Sequence, residues 1–184
     1  MTTSIKMLAF SACLTIVSLA VSLSRSNLLW VSDINYSFLL QVALPHLGIA
    51  VSSVIGGFGG ALLLNRARDK SLYEVALPLS FVALGLLIGG LFIINGPYVL
   101  MYTLVCPPLI GFGAIRLSEL LPFIRKRGIN LTLIVLLLLP NIALFCVGMT
   151  STDWVMVIDF GTGFRVLFGA LTGGLAVNIM QKPR

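Results

Sequence analysis

Six apolar stretches, each close to the ~20 residues a helix needs to cross a hydrocarbon core, follow one another along the chain and are separated by short segments that hold most of its charge. They run from Met7 to Leu23, from Val42 (or Phe38) to Leu64, from Val75 to Ile94, from Pro97 to Ile115, from Ile129 to Met149 and from Phe160 to Met180. A helix that is apolar all round has no face to give to water, so such stretches call for lipid as solvent. With 58% hydrophobic and 10% charged residues and a mean hydropathy of +1.07, 184 residues also carry more apolar surface than one soluble core hides. The expectation is an all-α fold, a single membrane domain over residues 1–184 built as a polytopic bundle of six transmembrane helices.

The charges orient it. On one side of the six spans fall Lys6, Arg66, Arg68, Lys70, Arg116, Arg125, Lys126, Arg127, Lys182 and Arg184; on the other fall only Arg25 and Arg165. The positive-inside rule then places both termini in the cytoplasm, as a multi-pass protein of the plasma (inner) membrane. Asp33, Asp153 and Asp159 fall on the outer side. The cations sit in short segments between apolar runs and form no basic stripe beside aromatics, which excludes a nucleic-acid partner. Arg125, Lys126 and Arg127 instead suit anionic lipid at the cytoplasmic face, each contributing on the order of 1 kcal/mol.

The first apolar stretch is longer than a signal-peptide core, so it is expected to be retained as a helix, and too few apolar residues precede Cys13 for a lipoprotein signal. Cys13, Cys106 and Cys146 lie in three different apolar stretches, without a CxxC pair, which fits buried thiols and gives no disulfide or metal site. "NGP" at Asn95 to Pro97 demands a tight turn. The outer loop Ser24 to Ser37, with Trp30 and Tyr36, fits either an aromatic anchor in the headgroup region or a lid over an outward-facing cavity. In "RLSELLPFIRKR", Leu117, Leu120, Leu121 and Ile124 share one helical face, so helix four is expected to continue as an amphipathic surface stretch until Pro122 disturbs it.

Small residues recur at helical spacing. Gly48, Ser52, Gly56 and Gly60 line one face of helix two, Gly85 and Gly89 one face of helix three, and Gly169 and Gly173 one face of helix six. In lipid such faces let backbones approach and gain dispersion and weak hydrogen bonds. Helices two, three and six are therefore expected at the centre, with Leu-rich helix five against lipid; alternatively one stripe meets a separate subunit or a second copy. Pro45, Pro78, Pro107, Pro108 and Pro140 interrupt four stretches and free backbone carbonyls, and the double proline beside Gly111 and Gly113 is the strongest candidate for a broken helix at a binding site.

Polar residues within the membrane are costly unless paired. Gln41, His46, Tyr102, Asn141 and Arg165 all fall towards the outer side, and together would make a pocket for a small polar or anionic solute. Each also has a packing role open to it, and Arg165 can pair with Asp153 or Asp159. No metalloprotease, nucleophile-elbow, phosphate-loop or dinucleotide motif is present, no two carboxylates share one stretch, and no cofactor is implied.

In plan, six short-looped helices with both ends inside and a long first outer loop, the chain resembles the substrate-capturing membrane components of energy-coupling-factor vitamin transporters. The resemblance implies docking on a membrane partner through small residues of helix one, where Ala9 with Cys13 and Ser11 with Thr15 have the spacing. Three functions stay open: a small-solute transport or substrate-capture component, a non-catalytic subunit or assembly factor of a larger membrane complex, and a membrane enzyme acting on a lipid-linked substrate. The third is the least supplied with chemistry, for want of a nucleophile or an acid–base pair.

Overall fold

The computed structural model describes the backbone of residues 2–26, 36–67, 70–90, 96–150 and 154–180, and the side chains of residues 3–21, 44–65, 72–90, 98–143 and 161–180. Among the described residues it is all helical. The order is α1 (Thr2–Ser26), α2 (Tyr36–Ala67), α3 (Lys70–Gly90), α4 (Gly96–Leu120), a 3-10 turn (Pro122–Arg125), α5 (Arg127–Thr150) and α6 (Trp154–Met180). All helices but α5 are long and apolar enough to cross a membrane, which marks a helical membrane protein; the described apolar part of α5, Arg127–Ala143, is shorter. Most helices extend beyond the apolar stretches that the sequence outlines. A helix satisfies its own backbone, so it continues into the headgroup region after hydropathy has faded.

The bundle is three antiparallel pairs. Along α1 and α2, Ser18 lies against Gly48, Thr15 donates to Ser52 Oγ (2.9 Å), Ser11 donates to the Ser52 carbonyl (2.7 Å), and Leu8 reaches Gly59. Along α3 and α4, Tyr73 donates to Glu119, Ser80 lies against Gly113, the Cys106 thiol donates to the Ala83 carbonyl, and Tyr98 donates to the Leu86 carbonyl. The third pair follows from chain length. Ser118 near the end of α4 meets Asn178 near the end of α6, so α5 starts at that end. Three residues then separate Thr150 from Trp154, too few to span the length of α6, so α5 and α6 run antiparallel.

The second helices of the pairs, α2, α4 and α6, point the same way and form the centre. Each outer helix packs on its own partner and leans lightly on the other central helices: α1 on α4, α3 on α6 and α2, and α5 on α2. The expected centre of helices two, three and six is therefore corrected, since α4 stands where α3 was placed. A β-carbon built on Gly85 meets nothing within 4 Å, and one on Gly89 meets only the Tyr98 ring, so α3 presents no backbone groove to the centre. The glycines that matter on α4 are those beside the double proline. Gly111 lies against the Gly57 carbonyl, and Gly60 against the Pro108 carbonyl. Pro107 and Pro108 thus serve helix packing against α2.

At the cationic end, Glu119 accepts from Arg116 (2.9 Å), Arg125 (3.1 Å) and Tyr73, and the Arg116 guanidinium lies over the Tyr73 ring at 4.7 Å. This knot ends α4 at Leu120. Helix four does continue past Ile115 to Leu120, just short of Pro122, with Leu117, Leu120 and Leu121 exposed, but Ile124 leaves their face and turns inward to pack with Ala114 and Leu175. Proline at the start of the 3-10 turn lacks the N–H that an uninterrupted helix would use there.

Candidate functional site

His46 and Arg165 come together. Arg165 stands on α6, His46 on α2 one residue after Pro45, and the Arg165 guanidinium lies 3.4 Å from His46 Nδ1 in a buried setting. Their relative exposures, 3% and 6%, are those of core residues, although both side chains are polar. A guanidinium only donates, so an imidazole facing it through Nδ1 accepts there and carries its proton on Nε2.

Local sequence makes the room. A β-carbon on Gly161 would stand 2.7 Å from the Arg165 guanidinium, so the missing side chain one turn earlier is what lets the arginine fold back along α6. Helices α2 and α6 are held close by glycine just beyond the pair. Gly169 lies against Ala50 and Ser53, and a β-carbon on Gly173 would come within 2.0 Å of the Val54 carbonyl oxygen. That close approach fixes the distance between the two polar side chains, which stand about one turn nearer the amino ends of their helices.

Tyr102 is buried in the same core cluster as Ile49 and Val166, but its ring lies against Gly90 of α3 and packs edge-on to Tyr98, with ring centroids 5.9 Å apart. Asn141 does not join them through any hydrogen bond described. Its Nδ2 donates within its own helix to the Leu137 carbonyl at 3.3 Å. The Gln41 side chain lies outside the described residues, as do Trp30, the side chains of Tyr36, Cys146, Asp153 and Asp159, and the turn at Asn95.

The small-residue stripes are placed as follows. Gly48, Ser52 and Gly56 face α1, where Ser18, Thr15 and Ser11 fill the space. Gly57 faces Ala170 of α6, Gly60 faces α4, and Gly169 and Gly173 face α2. On α1, Ser11 and Thr15 are buried against α2, which removes them from the partner-docking role that their spacing suggested; Cys13 and Ala9 remain exposed. Sequence reasoning passed over Gly161, Asn130 and Thr172. Gly161 carries a readable signal, standing four residues before an intramembrane arginine.

Among the described residues no three His, Cys, Asp or Glu side chains come together as a metal site. The described Cys106 is buried and Cys13 exposed. No family model, curated protein or solved structure matches the chain.

Proposed function

We propose that the chain is a small-solute transport or substrate-capture component, and that the His46–Arg165 pair engages an anionic group of the solute. The observation that carries this is a guanidinium 3% exposed and 3.4 Å from an imidazole, between two tightly packed apolar helices. A buried arginine is expensive in a membrane and marks ligand or ion handling more often than packing. Its planar fork matches carboxylate and phosphate geometry, and a neutral imidazole adds a donor at Nε2.

The test is equilibrium binding of a panel of small carboxylates and inorganic phosphate to the purified protein, with uptake into liposomes as the second readout. Arg165→Gln is expected to weaken the best binder by about 30-fold or more, the effect of removing a charge-assisted contact of ~2 kcal/mol. Arg116→Gln, at the far end of α4, is expected to leave binding unchanged. Binding indifferent to both Arg165→Gln and His46→Ala would overturn the proposal.

Sidedness belongs to the same reading. The distribution of ten basic residues against two puts the end with Arg125, Lys126 and Arg127 in the cytoplasm, against anionic lipid, and the end nearer His46 outside. Cysteines placed at Lys70 and Lys126 should be protected from impermeant reagents added outside, and those at Asp33 and Asp153 should react. The opposite pattern would invert the orientation.

A second reading, a non-catalytic subunit or assembly factor of a larger membrane complex, is favoured by Gly85, an exposed glycine on α3 with Phe81, Val82 and Ile88 exposed around it. A stoichiometric membrane partner on native purification, lost in Gly85→Leu, would support it.

A further inference from the structure

The polar groups of the three helix pairs are not equally provided for. Between α1 and α2 the hydroxyls of Ser11, Thr15 and Ser52 all have partners, as does that of Ser53, which lies against Gly169 of α6. Between α3 and α4 those of Tyr73, Ser80, Tyr98 and Thr103 do as well. Among the described residues, the buried side-chain atoms with no partner in the chain are Arg116 Nε and five others, all on α5 or α6: both amide atoms of Asn130, Asn141 Oδ1, Thr172 Oγ1 and Asn178 Nδ2. Asn130 is 1% exposed and Thr172 5%, so lipid-side solvent does not reach them. A carboxamide left dry and unbonded costs about 1–3 kcal/mol, and such groups are normally met by water or ligand.

In depth these groups follow one another along α5 and α6. Leu133, Ile134 and Leu137 of α5 and Leu171 of α6 pack against the cluster of Ala114, Ile124 and Leu175, which brings these parts of the two helices to a similar depth. One turn from Leu137 is Asn141, and one turn back from Leu171 is Leu167, two residues from Arg165. In the other direction, Asn130 stands one turn before Ile134, and Asn178 one turn beyond Leu175. By depth the set therefore starts within about a turn of Arg165, includes Thr172 and ends at the cationic end, roughly 16 Å further on, about half a hydrocarbon core.

The centre offers no such set. Below the pair, β-carbons on Gly57, Gly60, Gly111 and Gly173 would each fall within 2.3 Å of a neighbouring carbonyl oxygen. Backbone touches backbone there, and nothing passes without parting three helices. Helix α5, by contrast, is the most exposed helix of the bundle over its described length, held mainly by α6 and the 3-10 turn.

We propose that the seam between α5 and α6 is a hydrated passage, taking water and a small polar solute between the His46–Arg165 site and the end that carries Arg125, Lys126 and Arg127. Neutral amide and hydroxyl groups hydrate such a solute and do not hold it by charge, as a passage beyond a cationic site requires. The solute part rests on the function proposed above; the hydration does not.

The experiment places single cysteines at Asn130, Thr172 and Asn178 in the full chain with Cys13→Ser, Cys106→Ala and Cys146→Ala, in liposomes, and measures reaction with a small water-soluble methanethiosulfonate. Cysteines at Leu64 and Val177, fully buried among apolar neighbours, are the controls. The seam cysteines are expected to react at least tenfold faster than the controls; equal rates overturn the passage. For variants that fail to fold, Thr172→Val gives a second readout. A dry, unbonded hydroxyl replaced by its isostere raises the melting temperature, and that rise would overturn the proposal, whereas a hydrated one leaves it level or lowers it. Labelling needs no solute, so slow labelling with Arg165-dependent binding intact refutes the passage alone, and fast labelling with binding indifferent to Arg165→Gln refutes the solute site alone.

Discussion

Leucine at Gly57 or Gly173 is expected to leave no stable monomer in detergent. A β-carbon on Gly57 would stand 2.2 Å from the Ala170 carbonyl oxygen, and one on Gly173 2.0 Å from that of Val54. The obstructing atoms are backbone on both sides, so no rotamer change relieves the clash and α2 must separate from α6. Overpacking costs typically 1–3 kcal/mol where side chains can yield; with backbone in the way the loss should exceed that range. Gly56→Leu meets Ser11 Oγ at 2.8 Å and Pro107 Cβ at 2.9 Å, side-chain atoms on α1 and α4, and should fall in the middle. Gly85→Leu, with open space around it, should melt with the wild type. Thermal unfolding and size-exclusion profiles of the four variants check the order, and Gly57→Leu melting within about 2 °C of wild type would remove the central contact from the account.

His46→Lys is expected to have the next largest effect. It puts, where Nδ1 now stands 3.4 Å from the Arg165 guanidinium, an amine that must either stay as a second cation or give up its proton at a cost. Two like charges about 4 Å apart repel by roughly 4 kcal/mol at an effective dielectric near 20, and salt screens a buried pair poorly. His46→Gln keeps an acceptor for the guanidinium and should melt close to wild type. The comparison is made at neutral pH in low and high salt. If the lysine and glutamine variants melt together, the arginine does not depend on the imidazole facing it.

Hydropathy alone outlines the six helices, because apolar length is a property of each segment by itself. Which helix stands at the centre is a property of pairs. The stripes on α2 and α6 are readable because glycine repeats at spacing four on helices that do meet. Gly85 and Gly89 have the same spacing and face elsewhere, since spacing says that a backbone can be approached and not that it is. The double proline drew attention to the right part of α4 for a different reason, its value lying in the Pro108 carbonyl that Gly60 accommodates. His46 and Arg165 are 119 residues apart in sequence, and what singled both out was the cost of a polar side chain in lipid. Asn130 escaped notice because it comes just after "RKRGI", where a polar residue looks like the edge of a loop, and only the fold buries it.

Ribosomal synthesis delivers this chain from its amino end, and the parallel central trio gives that order a consequence. The pairs α1–α2 and α3–α4 can insert and meet first, joining Gly57 to Gly111 and Gly60 to Pro108. Until α6 arrives, the backbone of α2 at Val54 and Phe58 lacks Gly173, and His46 lacks the arginine that it faces in the finished fold. Of these six helices, α6 is made last, and it both closes the core and completes the His46–Arg165 pair. A chain cut short before α6 lacks both the close α2–α6 contact and the His46–Arg165 pair.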